Sequence, residues 1–209
     1  MLEKFLLLQE SIQLVSRSPR RKDILSKIFR EVEVVDFDFD EKISEGLNLL
    51  EIPSFLAAKK MKQFLNSEKP KMDTIITADT IVFYPETATI LGKPKNLVEA
   101  DKMLRYHFGR EQLVVTSVCY FNSKKNIKKI ITDEAIVKFK EYQKIPEEII
   151  HKYLQLLPPI GPLDKAGAYG IQEEEVFNYM IESVSGDINT VIGFPLEKFV
   201  SIIINSSSR

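Results

Sequence analysis

One carboxylate stands inside an almost unbroken apolar run: Asp79 in TIITADTIVFY, residues 74–84. Burying an unpaired carboxylate there costs several kcal/mol, so Asp79 needs a metal ion, a cationic partner or an outlet at a cleft. The alternative is that ADT is a strand end and Asp79 points to water. Thr80 adds a hydroxyl beside it. A second concentration of chemistry is LVSRSPRRKDIL, residues 14–25. Ser18 reads as a helix N-cap and Pro19 as the first helical residue. Arg20 and Arg21 then load positive charge onto the helix end that is already electropositive, which is unfavourable unless an anion joins them. A phosphate fits, because backbone N–H groups, the hydroxyls of Ser16 and Ser18 and two guanidinium forks converge there. The plainer readings are solvated surface charge or a nucleic-acid patch. The second is opposed by 29 Lys+Arg against 30 Asp+Glu, a net charge of −1.

Other residues carry weaker signals. Lys93 in LGKP follows a glycine that permits close backbone approach, and Lys60 sits in SFLAAKKMKQFLN (54–66); for either lysine alone a surface role is the default. Glu41 ends an acidic run with Asp36, Asp38 and Asp40. That run reads as a solvated strand edge or as ligands for Mg²⁺ or Mn²⁺. The loop DKAGAYGIQ (164–172) combines the charge pair Asp164 and Lys165 with Gly167, Gly170 and Gln172, whose amide offers both a donor and an acceptor to a base edge. Cations for phosphates, carboxylates for a metal and a base-reading amide together suit a nucleoside triphosphate, although neither a Walker A loop nor a Rossmann fingerprint is present.

Elements that must position these groups alternate along the chain, which argues for an α/β architecture. The patterns predict a strand near 11–16, a helix over 19–30, a half-exposed strand over 31–41, a helix over 54–66 and a fully covered strand over 74–84. A helix over 96–108 opens near a capping box at Asn96 and Glu99. Residues 112–122 and 127–140 read as a hairpin, 145–157 as a helix, 176–184 as a strand, and a last helix starts at Pro195. The sheet is therefore mixed. At 209 residues, 44% hydrophobic and 28% charged, the chain suits one large domain or two small lobes. The single Cys119 excludes an internal disulfide framework and suits a reducing cytoplasm. His107 and His151 are isolated, with no zinc spacing, and read as surface or packing residues. Apolar stretches are too short to span a bilayer, and MLEKFLLLQESIQLV reads as a short amphipathic leader into the first strand rather than a signal peptide.

SRSPRRKDIL, ADTIV, LGKPKNLVEADKML, LDKAGAYGIQ and VIGFPL follow one another in the order and spacing of the Maf family, which the chain resembles from about Leu14 to Leu196. The resemblance implies a single domain over residues 1–209. Its fold would be inosine-triphosphatase-like: an elongated, mixed, twisted sheet flanked by helices, with two lobes around a central cleft. It implies a metal-dependent nucleoside triphosphate pyrophosphatase that cuts between the α and β phosphates, with Mg²⁺ or Mn²⁺ as cofactor. By position, Asp79 would be the catalytic acid-base group, Glu41 with Asp79 the metal or water partners, and Ser16, Arg20, Arg21, Lys60 and Lys93 the phosphate ligands. Arg20, Thr80 and Gln172 match the positions that mark the branch acting on dTTP and UTP. Departures from the family pattern are Arg17, Gln112, Ile188 and Thr190, and the late VIGFPL block reads as loop packing or subunit contact. The resemblance further implies a cytoplasmic homodimer with no nucleic-acid or membrane partner, and a role in house-cleaning or septum formation and division arrest. Rival readings are a pyrophosphatase of the 7-methyl-GTP or modified-purine type and a nucleotide-sensing regulator that does not hydrolyse.

Overall fold

The computed structural model describes residues 8–43, 46–158 and 160–207; of the leader expected ahead of the first strand, residues 1–7 lie outside them and Leu8–Glu10 begin that strand. In chain order the elements are β1 (Leu8–Val15), α1 (Pro19–Leu25), β2 (Phe29–Val35), α2 (Ile52–Leu65), β3 (Thr74–Tyr84), β4 (Thr89–Ile90) and α3 (Leu97–His107). They continue with β5 (Glu111–Asn122), β6 (Ile127–Phe139), α4 (Glu147–Leu154), β7 (Ile181–Ser185), α5 (Ile188–Ile192) and α6 (Leu196–Ser207). Seven strands form one mixed sheet in the order β2-β1-β3-β5-β6-β7, with β4 pairing β3. β1 pairs in parallel with both β2 and β3, whereas β3–β4 and β6–β7 are antiparallel. The mixed α/β sheet is thus the one expected. No helix among the described residues is long and apolar enough to cross a membrane.

Contacts divide the chain into two compact units. One holds the residues up to Thr80, Thr116–Asp133 and the chain from Gly193 on; the other holds Ile81–Val115 and Glu134–Ile192. In the first unit the order β2-β1-β3 matters most. The chain leaves β1 toward one side, through α1 to β2, and returns through α2 to the other side at β3. That makes the β1–β3 boundary a switch point, where the carboxyl ends of parallel strands leave room for a ligand. One core of this unit is Val15, Ala57, Met61, Phe64, Ile75 and Cys119, with Phe37, Phe39 and Phe121 packed on it.

Three elements differ from expectation. α1 ends at Leu25, five residues early, and a tight turn through Ile28 brings Phe29 to the start of β2. β2 stops at Val35 because β1, its partner, stops at Val15 directly opposite. Phe37 and Phe39 keep the inward alternation, half-buried and facing Phe64 or one another, but residues 36–40 have no strand beside them. The strand expected over 176–184 begins only at Ile181; Glu175–Met180 is a π-helical turn that buries Val176 and Met180 on one side. A short apolar run of that kind is ambiguous between the two periods.

The second unit packs Val82, Leu104, Val114, Phe139, Tyr153, Tyr169 and Met180 into its core. His107 is wholly buried among them, a packing residue as expected. Its Nε2 lies 2.6 Å from the Gly167 carbonyl and its Nδ1 meets the Tyr84 hydroxyl. A carbonyl only accepts, so Nε2 carries the proton and Nδ1 accepts from Tyr84. Burial pushes the imidazole down to about 4, against the Gly167 bond, which favours the charged form. The unfolded chain then binds the extra proton first, and stability falls as pH drops from about 6.5 to about 4. The full loss is about 3 kcal/mol at roughly 1.4 kcal/mol per pH unit. Urea unfolding of the protein and of a His107→Gln variant at pH 7 and pH 5 checks this: the wild type loses stability between them and the variant loses much less of it.

Candidate functional site

β1 delivers its last residue, Val15, beside β3, and Gln13 and Leu14 stand opposite Ile75 and Ile76. Asp79 therefore lies just past the point where β1 gives out, at the switch point. The strand reading holds and the water-facing alternative does not: Asp79 is 8% exposed within β3. Its compensation is cationic. Lys60 Nζ is 2.6 Å from Asp79 Oδ1 and 2.7 Å from Glu41 Oε1. Burial raises the Asp79 carboxyl above the usual carboxylate range, opposed by Lys60 and Arg21 and helped by the charge of Glu41.

α2 places the lysine. Ile52, Leu56, Ala57, Met61 and Phe64 bury its apolar side, and Lys60 shares that burial rather than standing on the solvent face. Its ammonium also lies 5.7 Å over the Phe39 ring. The same helix holds the segment that carries Glu41. The Gln63 amide accepts from Asp40 N and donates to Asp40 O, both at 3.0 Å, so a side chain replaces the missing strand partner. Lys59 donates to Asp40 Oδ2 and to the Lys42 carbonyl. Residues 59, 60 and 63 thus share one helix face and fix 40–42.

Across from this triad lies the serine-arginine loop. Ser18 caps α1, accepting from Arg21 N, and Ser16 Oγ accepts from Ser18 N. Arg21 Nε donates to the Gly193 carbonyl at 2.9 Å, Nη2 to Thr80 Oγ1 at 3.0 Å and Nη1 to Ser16 Oγ at 3.3 Å. Thr80 Oγ1 is 2.9 Å from Thr116 Oγ1. Burial, foremost, and the neighbouring Arg20 charge lower the Arg21 affinity for its proton, while Asp79 and Glu41 raise it. The structure therefore brings together Ser16, Arg21, Glu41, Lys60, Asp79 and Thr80, with Arg20 next along α1. Arg17, one of the departures from the family pattern, pairs with Asp36 and Asp38 at the surface.

Lys93 and Gln172 belong to the second unit, both exposed. Their loops are joined to each other: Gly167 N donates to the Gly92 carbonyl at 3.0 Å. Gly167 itself sits at φ +72°, a backbone state that suits glycine. Lys165 is buried, and its three ammonium protons find the carbonyls of Ile160 and Gly161 and the carboxylate of Asp164 at 2.6–2.9 Å. Gln112 is sealed in the core near the Tyr84 hydroxyl. Sequence reasoning passed over Thr116 and the Gly193 carbonyl. The one signal for Thr116 was a hydroxyl residue inside the apolar run of β5.

Among the described residues no group of three or more histidine, cysteine or carboxylate side chains gathers as a cation cage. Two carboxylates, Asp79 and Glu41, do converge on a single positive charge. That donor set fits a hard cation of the Mg²⁺ kind, which takes one or two carboxylates and completes its shell with water and substrate phosphates.

A sequence profile of the Maf family, described as Maf-like protein, matches residues 11–206. The dTTP/UTP pyrophosphatase of Thermotoga maritima is 36% identical over 186 residues, covering 88% of this chain and 84% of that protein. The protein of the same name in Christiangramia forsetii is 38% identical over 194 residues, 91% of each. That of Thermococcus kodakarensis is 36% identical over 185 residues, 88% and 90%. Among solved structures, a HAM1 protein from Coxiella burnetii aligns over 93% of this chain and 98% of its own at 12% identity and a TM-score of 0.46, too distant a likeness to bear on the chemistry. Matched along nearly its whole length, the chain belongs to the Maf family.

Proposed function

We propose that the protein is a nucleoside triphosphate pyrophosphatase that hydrolyses dTTP and UTP to the monophosphate and pyrophosphate. The observation that carries the reading is the buried Asp79 carboxylate, paired with Glu41 across one cation and standing next to Arg21. The names of the relatives support the choice of substrate. The family match over residues 11–206 supports both units acting as one domain. Asp79 takes the proton of a water that attacks the α-phosphorus. The bond from the α-phosphorus to the bridging oxygen breaks, and pyrophosphate leaves with the electron pair. Asp79 and Glu41 are the carboxylates that would hold Mg²⁺ or Mn²⁺, and the ion would supply positive charge to the phosphates and acidify a water. Arg20, Arg21, Ser16 and Lys93 are assigned to the phosphates, where fixed donors stabilise charge developing on the leaving group. Lys60, which the resemblance puts on a phosphate, is assigned instead to the two carboxylates, because its ammonium is already within 2.7 Å of both. Gln172 is assigned to the base, and Thr80 with Arg20 to the pyrimidine preference.

A reducing cytoplasm is the proposed compartment: Cys119 is free and buried, and burial pushes its thiol up to about 11. A homodimer that binds neither nucleic acid nor membrane completes the proposal, together with the family's house-cleaning or division-arrest role.

Pyrophosphate release from a panel of nucleoside triphosphates, with Mg²⁺ or Mn²⁺ and with chelator, tests the reading. Metal-dependent turnover concentrates on dTTP and UTP; turnover on purines instead overturns the substrate class, and binding without release points to a sensor. Asp79→Asn lowers kcat by about a thousandfold with nucleotide affinity retained, and Gln172→Ala narrows the ratio of dTTP to GTP turnover. Lys60→Met leaves two carboxylates facing each other and lowers the unfolding free energy by roughly 3 kcal/mol. Asp79→Asn, which leaves Lys60 paired with Glu41, costs much less in the same denaturation experiment.

A further inference from the structure

Arg21 is gripped at three points. Among the described residues, three of its five N–H groups are donated, to the Gly193 carbonyl, Thr80 Oγ1 and Ser16 Oγ. A planar fork held in this way has one remaining N–H on each terminal nitrogen, and both point in a direction set by the grip. Thr80 is held in turn by Thr116, which lies at the centre of β5 and is 0% exposed. Thr116 is out of reach of a ligand and acts on one only through the residues it touches, Thr80 among them.

Gly193 contributes its backbone. Its φ of +117° is a state that side chains strain to adopt. A Cβ there would stand 3.4 Å from Thr80 Oγ1 and 3.5 Å from Arg21 Nε, ordinary contact distances, so the backbone state rather than space is what calls for glycine. The late VIGFPL block thus ends α5 in a carbonyl aimed at the serine-arginine loop, 172 residues earlier in the chain.

We propose that Thr116 and Gly193 are positioning residues for Arg21: Thr116 fixes the Thr80 hydroxyl, Gly193 fixes Nε, and the guanidinium meets the triphosphate already aimed. An arginine free to rotate would lose that freedom on each binding event; here it is lost on folding. The proposal rests on the reading of Arg21 as a phosphate ligand, and its test separates the two. Thr116→Val keeps the shape and removes the hydroxyl; Thr116→Ser keeps the hydroxyl. With dTTP and saturating divalent cation, Thr116→Val lowers kcat/KM about tenfold, the worth of one lost hydrogen bond, mainly through KM. Thr116→Ser restores it to within about twofold by the same reasoning. In an Arg21→Lys background, Thr116→Val adds no further loss. A Thr116→Val protein that melts earlier but keeps its kcat/KM overturns the proposal, as does a loss of equal size in the Arg21→Lys background. An Arg21→Lys protein with unchanged kcat/KM overturns the phosphate reading of Arg21 and the positioning role with it.

Discussion

A carboxylate that the chain buries in an apolar strand is the constraint on which the first unit turns. Asp79 is stable there only with positive charge at contact distance, and Lys60 supplies it at 2.6 Å. The cost of desolvating that pair explains why α2 sinks a lysine among Leu56, Ala57 and Met61. It also explains why Glu41 is drawn in, since one ammonium has three donors and a single carboxylate cannot use them all.

On one side of this pair, strand pairing runs out. β1 ends at Val15, which opens the space beside Asp79, and β2 loses its partner at the same level. The chain beyond β2 is tied down by side chains instead: Gln63 closes both backbone groups of Asp40, and Arg17 engages Asp36 and Asp38. Surface ion pairs of that kind are weak singly. The Gln63 bridge matters more, because it satisfies backbone groups that would otherwise have only water.

In the second unit, neutral and charged side chains together hold a loop. His107 spends both ring nitrogens on Tyr84 and the Gly167 carbonyl, which fixes the glycine-rich loop at the first of its two left-handed residues, Gly167 and Ala168. Lys165 closes the preceding turn with three acceptors. Gly170 N donates to the Tyr153 hydroxyl at 3.0 Å, just before Gln172. A loop of small residues is thereby held by side chains that the core supplies.

The local patterns of the chain determine much of this by themselves. Uninterrupted apolar residues make β3 a covered strand over Thr74–Tyr84, Ser18 and Pro19 start a helix, Asn96 caps another, and Asp79 is marked as a charge in need of a partner. These are legible because propensity, capping and periodicity act within a few residues. The tertiary structure alone decides which partner answers. Lys60 lies 19 residues before Asp79 on an element whose periodicity marks it only as one more helical lysine, and Gly193 reaches Arg21 across 172 residues. It also decides where β2 stops and that 175–180 coils rather than extends, since both follow from the neighbours available and not from the segment. Contacts between distant residues depend on strand order, and strand order is set by the packing of the whole sheet.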